Sequence, residues 1–147
     1  MKKLFSTLLA IIGFSVLMAQ SAEVPTNVKI AFKDKFKSTT VEWTASAQSY
    51  IAKWDDNNKH MTAYYTKDEQ PALVRTETDV DVSELSAGSQ TVVKERFMNA
   101  TSYTYIRSFK VEGFGDAVDG CEFKIQNGGN CSVFFDGNGT MVKRELN

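Results

Sequence analysis

Eight short stretches of the chain alternate apolar or aromatic residues with polar ones, and this period of two commits most of its length to β-strands with one buried face. They are "TTVEWT" (39–44), "QSYIAKW" (48–54), "KHMTAYYT" (59–66), "ALVRTET" (72–78), "SYTYIRSFKV" (102–111), "GCEFKIQ" (120–126), "NCSVFFD" (130–136) and "TMVKREL" (140–146). Each is rich in the β-branched and aromatic side chains that fit a pleated, half-buried surface.

Two segments break the period. Val24, Val28, Phe32 and Phe36 recur every fourth residue with Ala31 beside them, one apolar helical stripe with Pro25 placed for its first turn. Leu85, Val93 and Phe97 form a second stripe with Val92 flanking, behind a weaker helix start at Ser86-Ala87-Gly88-Ser89. Aligned at an offset of 61, Lys33-Asp34-Lys35-Phe36 faces Lys94-Glu95-Arg96-Phe97; at 70, Ala63-Tyr64-Tyr65-Thr66 faces Val133-Phe134-Phe135-Asp136. The expectation is an α+β fold of two tandem repeats, 20–82 and 83–147. Each would have one helix and about four antiparallel strands, with the helices packed on one sheet face.

The start of the chain reads differently. Met1-Lys2-Lys3 precedes an apolar run from Leu4 to Met18, the pattern of a signal peptide, too short for a membrane span. Cleavage after Ala19 leaves Gln20 first; cleavage after Ala22 is the alternative. An exported protein, periplasmic or secreted and without a membrane span after residues 1–19 are removed, is expected. The remaining chain carries 15 basic and 18 acidic side chains, a net charge of −3, which argues against nucleic acid as a partner.

Turn chemistry sets registers. Asn57-Asn58 suits a two-residue hairpin, which pairs Trp54 with Met61, Ala52 with Ala63 and Tyr50 with Tyr65. "NGG" at 127–129 suits a three-residue loop, which pairs Ile125 with Cys131, Phe123 with Val133 and Cys121 with Phe135. In that register the cysteines sit about 13 Å apart along the strands, beyond disulfide reach. They read as small buried hydrophobes.

The "EVPTNVKIAFKDKF" helix, the "VEW" and "SYIAKW" strands and the closing "FFDGNGTMVKRE" turn resemble the PepSY-like family of exported Bacteroidetes proteins, itself similar in fold to the beta-lactamase inhibitory protein. The resemblance spans Glu23 to the end and implies a non-enzymatic binding or inhibitory module. It names no partner.

The residues themselves offer little catalytic chemistry. The one histidine, His60, falls beside a predicted hairpin tip, and no phosphate loop or metal-spaced His/Cys cluster appears. No cofactor and no metal site are expected. Asp136, Asn138 and Thr140 in "DGNGT" match the opening of a calcium loop, but the glycines make an equally good tight hairpin. On the sheet face away from the helices the alternation places Ile51, Lys53, Thr62 and Tyr64, and likewise Glu122, Lys124, Ser132 and Phe134. Aromatics flanked by charge have the composition of a binding surface, or stabilise a solvated sheet by cross-strand contact. Phe114, between Gly113 and Gly115 in the long connection 112–120, either tucks back or reaches outward. Tyr64, Phe134, Phe114, Ile51, Lys53 and Lys124 are thus the candidate partner-binding residues. The reading is an exported, non-enzymatic protein-binding module, of the kind that inhibits an envelope or extracellular enzyme. The alternative is a calcium- or small-ligand-binding envelope protein.

Overall fold

The computed structural model describes residues 23–38 and 40–146, so the expected signal segment lies outside the described residues. Helix α1 (Thr26–Phe36) is followed by strands β1 (Glu42–Ala45), β2 (Ser49–Asp56), β3 (Lys59–Thr66) and β4 (Leu73–Val80). A 3-10 turn (Val82–Glu84) leads into α2 (Ala87–Val92), which continues as a π-helical stretch over Val93–Met98. Strands β5 (Tyr103–Glu112), β6 (Asp119–Ile125), β7 (Asn130–Phe135) and β8 (Met141–Leu146) complete the chain.

All eight strands form one antiparallel sheet in chain order. This corrects the expectation of two tandem helix-plus-strand repeats. β4 and β5 pair from Thr76↔Glu112 to Val80↔Ser108, so the ladder runs unbroken through the middle of the chain. Among the described residues, one large sheet carries two short helices. Pairing β4 with β5 satisfies two rows of backbone groups that separate units would leave as open edges.

Local chemistry explains the hairpins. Asn57 and Asn58 take φ of 49° and 63°, the positive pair that a two-residue turn requires. The β2–β3 register follows, with Trp54↔Met61, Ala52↔Ala63 and Tyr50↔Tyr65. The β6–β7 hairpin differs from expectation by two residues: Phe123 faces Cys131 and Cys121 faces Val133. Asn127 rather than a glycine takes the left-handed position (φ 62°), and Ile125 N–H closes the loop on Gly129 C=O at 3.0 Å. An even shift keeps every side chain on its face. Both cysteines are therefore buried on the helix side, and both are free.

The helices cover one face. Val24, Val28 and Phe32 of the α1 segment pack on Ala52, Trp54, Ala63 and Tyr65, with the Phe36 ring tilted against Trp54 at a centroid distance of 4.8 Å. Leu85, Val93 and Phe97 pack on Cys121, Phe123, Cys131, Val133 and Phe135, the Phe97 and Phe123 rings lying 4.9 Å apart. The start of α2 touches the β7–β8 turn backbone to backbone. A Cβ on Gly88 would lie 2.0 Å from the Asn138 carbonyl oxygen, and one on Gly139 (φ +85°) 2.2 Å from the Gly88 carbonyl carbon. Beside this contact the buried Asp119 carboxylate accepts the Ser86 N–H at 2.8 Å and Lys110 Nζ at 2.6 Å. The weak helix start is thus a packing requirement.

Candidate functional site

The helix-free face carries charge where a sheet interior is usually apolar. Alternation along β4 sends Arg75, Glu77 and Asp79 to this face, opposite Tyr64 and Thr62 of β3. On β5 the register shifts between Tyr105 and Arg107. Without that bulge Arg107 would point toward the helices; the extra residue, Ile106, turns it to the other face, opposite Glu122.

Glu77, 1% exposed, is the hub. Its Oε1 accepts Arg75 Nε at 2.8 Å, and its Oε2 accepts Arg107 Nη2 at 2.6 Å and the Tyr64 hydroxyl at 3.2 Å. Arg107 also donates to Asp79 Oδ1 at 2.7 Å and Glu122 Oε2 at 3.0 Å, and Glu122 accepts Asn130 Nδ2 at 2.9 Å. Arg75 Nη2 lies 3.1 Å from Glu145 Oε2, and Lys143 Nζ lies 3.0 Å from Glu145 Oε1. Burial works against the Arg107 charge, but Glu77, Glu122 and Asp79 outweigh it and raise its pKa above the ordinary guanidinium value. Burial, then the Glu77 charge, pushes Tyr64 up to about 12. Held this way, the charges form a fixed polar floor.

Over part of this floor the sheet curves around a trough of about 1110 Å³. Every strand contributes to its wall, with Glu42, Ile51, Lys53, Asp55, His60 and Tyr64 at the β1–β3 side. His60 and Asp55 contact each other at its rim through exposed side chains.

The predicted site residues divide into two groups. Ile51 is half-buried and Lys53 exposed, and both line the trough. Tyr64 lines it as well, but its hydroxyl and ring are engaged by Glu77 and Arg75. Phe134 is fully buried, which corrects the expectation of an exposed aromatic there. Phe114 folds back onto it with ring centroids 4.9 Å apart. The Arg75 guanidinium is set among the rings of Tyr64, Phe114 and Phe134, at 3.9, 4.7 and 4.9 Å. These three aromatics cage an internal cation. Lys124 is exposed on the same face, opposite Thr104 and Asn130, and does not line the trough.

Sequence reasoning missed Arg75, Glu77 and Arg107. The Arg75-Glu77-Asp79 alternation, with Thr76 and Thr78 between, is the signal that marks a charged face. The Arg107 bulge has no comparable signal. The Asp136 carboxylate of "DGNGT" is spent on its own turn, accepting the Asn138 and Thr140 N–H groups at 2.9 and 2.8 Å. Among the described residues, no group of three His, Cys, Asp or Glu side chains is placed to hold a metal, and no helix is long and apolar enough to cross a membrane.

Among known proteins, no family model and no curated protein matches the chain. Solved structures do. A DUF2874 family protein from Bacteroides ovatus superposes with a TM-score of 0.59 at 20% identity, over 83% of this chain and 86% of that one. A protein from Bacteroides eggerthii, described provisionally as periplasmic, gives 0.59 at 16% over 83% and 88%. A BLIP-like protein from Bacteroides fragilis gives 0.56 at 13% over 85% and 89%. The chain has the fold of these Bacteroides proteins.

Proposed function

We propose that this chain is an exported, non-catalytic protein-binding module, and that the trough on the helix-free face of its sheet receives the partner. The observation that carries the reading is the floor beneath the trough: Glu77, Arg107 and Asp79 are fixed by one another before anything binds, so docking there orders few side chains. Ile51, Lys53 and His60 stand above that floor as the groups a partner meets first. The provisional periplasmic description of one structural neighbour supports export, and the BLIP-like neighbour supports a role in binding. Inhibition of an envelope or extracellular enzyme is the specific form this role would take. Membership of the PepSY-like family rests on the helix and strand motifs of the sequence.

The test is affinity capture from envelope and secreted fractions with immobilised protein. Wild type and Lys29→Glu, altered on the exposed face of α1, should retain the same partner; Ile51→Ser/Lys53→Glu should lose it at an unchanged melting temperature. Equal capture by the trough variant overturns the assignment of this surface.

A further inference from the structure

The sheet has two edges of different character. β1 is four residues long, whereas β8 runs for six, from Met141 to Leu146, and among the described residues is laddered on one side only, by β7. Short edge strands resist pairing with other chains; long ones with exposed apolar side chains invite it. On β8, Met141 is 50% exposed, Val142 43% and Leu146 73%. Among the described residues, no helix covers them.

We propose that β8 is a self-pairing edge, joining two copies of this chain antiparallel about a two-fold axis at Arg144. The strand is complementary to itself in that register. Val142 falls opposite Leu146 of the second copy, and Lys143 opposite Glu145 of the second copy, each pair occurring twice as an isologous contact requires. Lys143 and Glu145 lie beside Phe134 and Ser132, so the ion pairs form on the charged side. Leu146 and Arg144 lie beside Cys131 and Val133, and Val142 sits at the register shift between Phe134 and Phe135, where β8 carries one residue more than β7. Opposite charges and apolar residues directly across a strand pair stabilise it, and like charges there destabilise it. Moving the axis by one residue, to Lys143, sets Lys143 against itself and Val142 against Arg144. At the chosen axis the only like pair is Arg144 with its own copy, and that guanidinium is held toward its own sheet by a 3.1 Å Nε–H donation to Cys131 Sγ. The Glu145–Arg75 contact would then continue the charge network of one sheet into the next.

Sedimentation velocity over a concentration series tests the pairing. Wild type should show a monomer–dimer equilibrium, and Leu146→Lys should weaken it by at least about tenfold at an unchanged melting temperature. Lys143→Glu should weaken it, and Lys143→Glu with Glu145→Lys should restore it. Those two side chains also contact Arg75 and Phe114, so register is read separately by disulfide cross-linking. Val142→Cys mixed with Leu146→Cys should yield a covalent dimer that neither variant forms alone. A wild type that stays monomeric at its highest soluble concentration, including one whose β8 pairs with a different protein, overturns the proposal. So does a Val142→Cys protein that cross-links to itself as well as the mixture does.

Discussion

Arg107 Nη2 donates to Glu77 Oε2 across 2.6 Å in the middle of the sheet, joining β5 to β4 on the face that no helix covers. Glu77 is also the acceptor for Arg75, so one buried carboxylate serves two guanidinium groups. Replacing it by Gln leaves both cations with a neutral partner. Glu77→Gln should therefore cost about 3–5 kcal/mol in urea unfolding, the range for breaking a buried ion pair from one side. A loss below about 1 kcal/mol, the range of an exposed pair, would show that Asp79, Glu122 and Glu145 hold the two arginines without Glu77.

Gly88 offers a change of sign. Ala in place of Gly within a helix ordinarily stabilises by about 1 kcal/mol. Here the added methyl meets the Asn138 carbonyl at 2.0 Å, and the facing backbone at Gly139 has no side chain to move aside. Gly88→Ala should destabilise by about 1–3 kcal/mol, the range for overpacking. A stabilised Gly88→Ala protein, by thermal melting, would separate α2 from the β7–β8 turn.

Asp119 sets part of the acid limb. Burial opposes its charge, but the Lys110 and Ser86 hydrogen bonds overcome this and hold its pKa below the usual carboxylate value. A carboxylate depressed in the folded state contributes stability that is present above its unfolded pKa and lost as pH falls through the folded one. The melting temperature of wild type should fall across that acidic window, and Asp119→Asn should be less stable at neutral pH with a flatter acid limb. Parallel curves for the two proteins would assign the acid limb to other groups.

Tyr65 carries the reverse lesson. Its hydroxyl is buried and makes no hydrogen bond among the described residues, and burial pushes its pKa up to about 12. Removing a buried group that has no partner costs nothing and can gain about 1 kcal/mol. Tyr65→Phe should melt at or above the wild-type temperature. In a spectrophotometric titration, Tyr64 and Tyr65 should ionise near pH 12. Tyr65→Phe should remove half of that late step.

These sites show which levels of structure the sequence carried. The alternation located the strands, and Asn57-Asn58 fixed the β2–β3 register, because a two-residue turn leaves the ladder one choice. The β6–β7 register slipped by two since Asn127 could occupy the left-handed position as readily as the glycines after it. Tandem similarity between the halves was no guide to the β4–β5 junction: resemblance between segments says nothing of whether their sheets merge. Phe134 was misplaced for a related reason. Its face assignment was sound, but its cover comes from Phe114 and Arg75, distant in the chain, and a strand pattern cannot register a ring delivered by a loop.

The central claim is that the helix-free face, and not the helical one, meets the partner. Photo-cross-linking tests it most directly, with benzoylphenylalanine placed at Ile51 in the trough or at Ile30, which is 54% exposed on α1. Irradiated in the native envelope, the protein labelled at position 51 should yield a discrete higher-mass adduct, and the protein labelled at position 30 should not. An adduct from position 30 with none from position 51 would contradict the account.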